Sequence, residues 1–367
     1  MDGVRAAVEG HIGDGVHGAA WLVDRAGAVA TGSAGSSGPD ALFRISSVTK
    51  PVIAALAMTL VDDGTLVLDD PVDHLLPELA ERRVLRTPDA PLNDTVPADR
   101  PITVRDVLEF RLGLGMDFAG QFPGTVLGAL VDRGLAVGPP APQHGPGPDE
   151  WMRVVGGVPL SVQPGTQWLY NTGAQVLGVL VARATGQSLP DLLASRVTRP
   201  LGMRDTGFHV PADQLGRLGP VWMGDQVYDQ PEGQWSRPGA FPDAAGGLVS
   251  TVADLHAFAT GLRDGALLPP EALTLLVAPA VGPHDPDGVE GWGLGLGVTV
   301  ADRPDGRHAG SYGWDGGLGA TWWTDPVTDT IAILLTTDAW TSPQPTPVFV
   351  DFWTAAFSAG AAPSDAP

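Results

Sequence analysis

An α+β fold, with one antiparallel sheet assembled from both ends of the chain, is what the 367 residues predict. Three observations lead there. Strand-like runs occur only near the termini, at 19–24 and 28–31 around Arg25-Ala26-Gly27, then at 294–300, 320–324 and 330–337. The middle carries helical periodicity instead. Over 174–185, Val176, Leu177, Leu180, Val181 and Ala184 share a stripe that Gly186 stops. The many glycines and prolines are spread between elements, as ordered loops require, with no linker-like block dividing the chain. Residues 1–65 and 246–367 therefore form a sheet domain, 66–245 a mostly helical insertion, and a site would lie between them.

Taken in order, 4–12 reads as a helix, 19–31 as a hairpin and 33–39 as a Gly/Ser loop. Residues 51–61 form an apolar, buried helix, capped by Ser46 or Ser47 and ended by Gly64. Helical pieces at 71–80 and 104–110 bracket a Pro/Asp-rich loop, 84–101. A helix at 125–132 precedes the proline-rich 138–148, so 116–150 could act as a lid. The irregular 209–245 carries Trp222, Tyr228, Trp235 and Phe241, which either line a pocket or pin the loop to the core. Helices follow at 251–262 and 270–277, then the turn 325–329 between two strands, a helix at 346–359 and a disordered Ala/Pro/Ser tail.

Composition narrows the function classes. A formal net charge of −21 argues against nucleic acid and anionic membrane surfaces as partners. The absence of cysteine removes disulfides, thiolate metal sites and cysteine nucleophiles. The N-terminus has no basic-then-apolar leader pattern and no apolar run reaches spanning length, so the expectation is a soluble, cytoplasmic protein. No phosphate loop, dinucleotide fingerprint or Gly-x-Ser-x-Gly elbow is present, and the eight histidines lack metal-ligand spacing. No cofactor and no metal are expected.

The stretch Phe43-Arg44-Ile45-Ser46-Ser47-Val48-Thr49-Lys50-Pro51 stands apart. Of 21 Lys and Arg residues, one is lysine, Lys50. Arginine stays protonated near neutral pH, whereas a desolvated lysine amine can act as a base. Helical positions three apart share a face, so that amine can reach the Ser47 hydroxyl, which is a poor nucleophile until a base takes its proton. At the start of a helix, a developing oxyanion near Ser47 is also favoured. Tyrosine is scarce too. Tyr170 lies in Pro164-Gly165-Thr166-Gln167-Trp168-Leu169-Tyr170-Asn171-Thr172-Gly173, entering the 174–185 helix. Finally, Arg307-His308-Ala309-Gly310-Ser311-Tyr312-Gly313-Trp314-Asp315-Gly316-Gly317 precedes a strand, and its glycines would let another backbone approach an open sheet edge.

Together these places resemble the serine β-lactamase and penicillin-binding-protein superfamily, and within it the class C-like serine hydrolases and family VIII-type esterases. Ser47-Val48-Thr49-Lys50 looks like the Ser-x-x-Lys box, and Tyr170-Asn171-Thr172 stands where the family has Tyr-x-Asn. Supporting phrases in family order include Leu66-Val67-Leu68-Asp69-Asp70-Pro71-Val72, Pro200-Leu201-Gly202-Met203 and Gly246-Gly247-Leu248-Val249-Ser250-Thr251. The resemblance implies the α/β/α sandwich of the β-lactamase/DD-peptidase fold. It implies Ser47 as acylated nucleophile, Lys50 as proton acceptor or electrostatic partner, and Tyr170 as acid/base, with the order of proton transfer open. It also implies an oxyanion hole from the Ser47 backbone N–H and one from the edge strand after the third box. Beside a protonated Lys50, the Tyr170 phenol is expected to be partly ionised near neutral pH.

Two departures matter. Thr172 replaces Asn, keeping a hydroxyl for Lys50 or substrate but losing the amide. The family's Lys-Thr-Gly box is absent. Either His308-Ala309-Gly310 or Ser311-Tyr312-Gly313 replaces it, the latter followed by Trp314-Asp315-Gly316, which resembles the Trp-Gly-Gly of some esterases. Thr172, His308, Gly310, Ser311, Tyr312, Gly313 and Trp314 are therefore the candidate substrate-binding residues. A fixed ammonium for a substrate carboxylate is missing, which favours small neutral esters, with weaker amide or β-lactam cleavage. The alternatives are a D-amino-acid amidase or peptidase, a β-lactamase, and a non-catalytic binding module of the same fold.

Overall fold

The computed structural model describes residues 2–118, 124–285, 287–342 and 344–358. The chain opens with helix α1 (Asp2–Glu9), the hairpin β1 (Gly18–Arg25) and β2 (Ala28–Gly35), and the short β3 (Phe43–Arg44) before α2 (Thr49–Asp62). The middle carries β4 (Arg83–Leu85), β5 (Thr95–Pro97), α3 (Val104–Leu108), α4 (Gly124–Asp132), α5 (Pro148–Gly156), α6 (Thr172–Thr185), α7 (Leu189–Leu193) and α8 (Arg199–Leu201). A hairpin of β6 (Val221–Met223) and β7 (Gln226–Asp229) and then β8 (Val249–Ser250) lead to α9 (Val252–Arg263) and α10 (Pro270–Val277). Last come β9 (Glu290–Trp292), β10 (Gly297–Thr299), β11 (Tyr312–Gly316), β12 (Ala320–Asp325), β13 (Thr330–Thr336) and α11 (Pro347–Phe357).

The main sheet has seven strands in the order β2-β1-β13-β12-β11-β10-β9, each pair antiparallel. The two termini meet in its middle, where Trp21 pairs Leu334 and Val23 pairs Ala332. Alternating side chains feed two cores. On one face Val4 and Val8 of α1 and Phe349, Phe352 and Trp353 of α11 pack with Trp21 and Trp323. On the other, Leu22, Trp322 and Ile333 join α2 and α9 in the larger core. The result is the α/β/α layering expected, with helices on both faces of an antiparallel sheet.

Several expectations change. The loop expected at 33–39 begins as strand, because β2 stays paired with β1 through Gly35. The helix expected over 71–80 shrinks to a single tight turn at Pro77–Leu79; each proline lacks the N–H that a continuing helix needs. Neither serine caps α2. Ser46–Val48 instead form a 3₁₀ turn running into the helix, with no side-chain cap bond. The tail and residues 119–123, part of the candidate lid 116–150, lie outside the described residues. Among the described residues, no helix is long and apolar enough to cross a membrane.

Candidate active site

Helix α2 is apolar on nearly every face and buried along most of its length, and it carries Lys50 into the core. Just before it, Ser46 holds φ at 48°, a left-handed conformation that costs a residue with a Cβ about 1 kcal/mol or more. The resulting 3₁₀ turn presents the Ser47 hydroxyl to the amine: Lys50 Nζ lies 2.8 Å from Ser47 Oγ and donates to the Ala245 carbonyl at 2.7 Å. Lys50 is 1% exposed. Burial drives its pKa down from 10.5 to about 7, against a smaller upward pull from the Asp243 carboxylate. At neutral pH a large fraction of the amine is therefore unprotonated, with its lone pair available to the Ser47 hydroxyl proton.

Tyr170 reaches the same place from the other side. Its backbone is clamped to Met116 by two hydrogen bonds of 2.8 Å, Met116 N–H to the Tyr170 carbonyl and the reverse. That close approach needs Gly115, where a Cβ would collide with the Leu169 and Tyr170 carbonyls. Asn171 then makes a tight reversal, φ 79° and ψ −57°, closed by Thr172 N–H to the Tyr170 carbonyl at 3.1 Å. The phenol oxygen accepts from Trp314 Nε1 at 2.8 Å, and Lys50 Nζ sits 4.5 Å from the ring centroid. Phe110, Phe118, Trp168, Trp292 and Trp314 surround the ring. This dry shell pushes the phenol pKa upward, and hydrogen bonding with Ser47 and Trp314 offsets only part of the rise. The expectation of a partly ionised phenol is thus corrected: burial disfavours both charged forms, leaving Tyr170 protonated and lowering Lys50.

A cavity of about 180 Å³ opens onto these groups, walled by Ser46, Ser47, Met116, Pro139, Pro140, Tyr170, Asn171, Met223, Asp243, Ala245, Gly317, Leu318 and Trp340. A larger groove of about 640 Å³, along Leu42, Leu193, Phe208 and Val249, touches none of Ser47, Lys50 and Tyr170. Of the aromatic residues on 209–245, Trp235 is fully buried under Arg44, Tyr228 donates to the Pro140 carbonyl, and Phe241 stacks on Trp151. Trp222 stacks on His17. These rings pin the segment, while Met223 reaches the cavity.

Of the candidate substrate-binding residues, Trp314 is the one whose side chain bonds a catalytic side chain, the Tyr170 phenol; Thr172 meets Tyr170 through backbone alone. Thr172 is buried in the first turn of α6, and the side-chain partners of Lys50 are Ser47 and Ala245; Asn171 lines the cavity instead. His308 and Gly310 sit in the turn between β10 and β11, where His308 Nδ1 is 2.7 Å from Asp325 Oδ2. This carboxylate raises the imidazole pKa. Ser311 is buried, Gly313 pairs with Trp323, and Tyr312 packs on Trp322 in the core, where burial raises its phenol to about 12. None of these five lines the cavity.

The stretch nearest Ser47 is the following one, Trp314-Asp315-Gly316-Gly317. Strand β10 pairs β11 only at Tyr312 and Gly313, so β11 is an interior strand whose last three residues lack a β10 neighbour. A Cβ on Gly316 would collide with the Ile45 carbonyl and lie 3.2 Å from the Ser47 backbone nitrogen, so glycine is required for this approach. Sequence reasoning missed Asp243 and the aromatic shell from Phe110, Trp168 and Trp292. No local spacing marks them, because they arrive from separate segments of the chain.

Comparisons with known proteins speak to the family and the fold. A family model described as Beta-lactamase matches residues 4–346. Protein Rv1367c of Mycobacterium tuberculosis is 34% identical over 320 residues, covering 81% of this chain and 77% of that protein. Esterase EstB of Burkholderia gladioli is 32% identical over 330 residues, covering 82% and 78%. Among solved structures, EstCE1, described as a hydrolase with promiscuous acyltransferase activity, matches with a TM-score of 0.81 at 24% identity over 97% of this chain and 98% of that one. A LovD simvastatin synthase mutant from Aspergillus terreus matches at 0.77 and 22% identity, over 97% and 94%. These two structural likenesses speak to the fold. With a family model spanning nearly all of its length, the chain belongs to the beta-lactamase family.

Proposed function

We propose that this chain is a serine hydrolase that works through an acyl-serine intermediate, acting as a carboxylesterase on small, uncharged esters. The observation that carries the reading is the dry Lys50 amine, with its pKa brought to about 7, held 2.8 Å from the Ser47 hydroxyl. Neutral Lys50 takes the Ser47 proton as Oγ attacks the ester carbon. The carbonyl electron pair moves onto oxygen, where the Ser47 backbone N–H and a neighbouring N–H at the Gly316–Leu318 turn stabilise it. When the carbon–oxygen bond breaks, the leaving alkoxide takes the Tyr170 phenol proton, and Lys50 returns a proton to the phenolate. Water then repeats the sequence on the acyl-enzyme.

Substrate class follows from the wall chemistry. Among the described residues of the wall, Asp243 and Tyr170 are the ionisable side chains, so none of them offers a cation to a substrate carboxylate. The relative named as an esterase, EstB, supports esters over amides. The wall draws on both sides of the division proposed at 65/66 and 245/246, with Ser47 and Leu318 from one part and Met116 and Tyr170 from the other, which supports a site between two domains.

The test is incubation with p-nitrophenyl acetate and, separately, with a serine-directed phosphonate. Turnover and a single mass adduct mapping to Ser47, both lost in Ser47→Ala, are expected. Neither turnover nor adduct in the unmodified protein would contradict the reading.

A further inference from the structure

We propose that Asp243 is a positioning residue for this reaction: it orients the Lys50 amine and supplies the counter-charge for the ammonium formed when Lys50 takes the Ser47 proton. This rests on the acyl-serine reading above. Asp243 opens the turn Asp243-Ala244-Ala245-Gly246-Gly247. Its Oδ1 accepts the Ala245 N–H at 2.8 Å, and its carbonyl accepts the N–H groups of Gly247 and Gly246 at 2.7 and 3.2 Å. That turn aims the Ala245 carbonyl at Lys50 Nζ, 2.7 Å away. One side chain thus shapes the peptide that holds the amine and carries the charge that faces it.

The surroundings leave this role to Asp243. From the segment before α6, the amine faces the Tyr170 ring, whose phenol burial keeps neutral, while Gln175 of α6 is uncharged and bonds Asp243. From β3, Arg44 is committed to Asp229. From β11, Asp315 is bonded to Thr321 and Trp323 and acts on the phenol. Among the described residues, Asp243 is the carboxylate that raises the affinity of Lys50 for a proton. Burial raises the pKa of Asp243 itself, and the Ala245 N–H, Lys50 and Gln175 each offset part of that rise.

The separation matters. Asp243 does not form a contact ion pair with Nζ, whereas a direct salt bridge would lock the lysine in its charged form. Without a contact pair, the carboxylate pulls the amine's pKa up by less than burial brings it down, so it favours the ammonium once formed without fixing Lys50 in its charged state. A buried aspartate does the same for the imidazolium of serine proteases, without itself taking the proton. In the step, the Ser47 O–H bond breaks, an N–H bond forms on Lys50 and the Oγ–carbon bond forms, while Asp243 exchanges no proton.

Asp243→Asn removes the charge but keeps an oxygen for the Ala245 N–H. Its effect can be read on the Lys50 titration midpoint, followed by NMR of the isotope-labelled lysine, and on the pH dependence of kcat/KM for p-nitrophenyl acetate. The expected result is a midpoint lowered by about one pH unit, an acid limb of the rate profile that moves with it, and a plateau roughly tenfold lower. Asp243→Ser, another uncharged acceptor for the same turn, should repeat the shift and serves if the asparagine variant does not fold. A lower rate with midpoint and acid limb unmoved would overturn the inference, leaving Asp243 a role in the turn alone. Phosphonate labelling separates the two claims: no adduct at Ser47 in the unmodified protein sinks the acyl-serine reading itself, whereas normal labelling with an unmoved midpoint sinks only this one.

Discussion

Arg44 and Lys50 flank Ser47, both are cations, and both are buried, at 2% and 1% exposure. Their fates differ because their partners differ. Arg44 sits 2.6 Å from Asp229, donates to the carbonyls of Gly219 and Gln230, and lies over the Trp235 ring. The Asp229 carboxylate and the Trp235 ring favour the charged guanidinium, and together the contacts tie β3 to the 219–235 segment. Lys50 has a hydroxyl, a carbonyl and a carboxylate beyond contact distance. Burial is therefore not what makes a site. Burial without a contacting counter-ion lets a cation lose its proton near neutral pH, whereas a contact pair makes the same burial structural.

The sharpest way to break this contrast is to give the Lys50 position the chemistry of Arg44. Lys50→Arg should lower kcat/KM on p-nitrophenyl acetate by roughly 10³-fold or more, since a guanidinium cannot accept the Ser47 proton. Activity within tenfold of the unmodified protein would end the base assignment. The converse change, Arg44→Met, strands Asp229 in the core and should cost about 3–5 kcal/mol in denaturant unfolding, while the lysine midpoint stays in place. If stability held and the midpoint moved instead, the division of roles would be wrong. The smallest effect is expected at His308, on the far end of β11. His308→Ala should leave kcat/KM within about twofold and cost ~1 kcal/mol, the loss of one hydrogen bond to Asp325. A large loss of activity would return the third box to that turn.

How much of this was legible beforehand depends on how local each signal is. The hairpin β1–β2, the strands β12 and β13, and helices α2 and α6 announce themselves through alternation, helical stripes and terminal glycines. The Ser47–Lys50 pairing follows from spacing inside one turn. Strand β11 was hidden because Tyr312-Gly313-Trp314-Asp315-Gly316 shows no alternation. Its glycines serve backbone approaches, to Trp322 and Trp323 at Gly313 and to Ile45 and Ser47 at Gly316. Two registers for the third box were therefore equally readable, and the structure brings neither His308-Ala309-Gly310 nor Ser311-Tyr312-Gly313 to Ser47. Asp243 was one acidic residue among 42. Only tertiary folding sets it opposite an amine almost two hundred positions earlier. The Tyr170 ionisation was misread for a related reason: the sequence shows the neighbouring lysine, but not the rings of Phe110, Trp168 and Trp292 that dry the phenol.

Because the protein holds one lysine, its side-chain amine can be observed alone. Isotope labelling at the lysine ε position, followed by an NMR titration of the folded protein from pH 5 to pH 11, addresses the central claim without substrate. The account predicts a midpoint near pH 7, with kcat/KM rising through the same value, because the folded state binds that proton less tightly than the unfolded chain does. A midpoint near the ordinary 10.5 would mean that the amine stays charged at neutral pH, and the mechanism built on it would be contradicted.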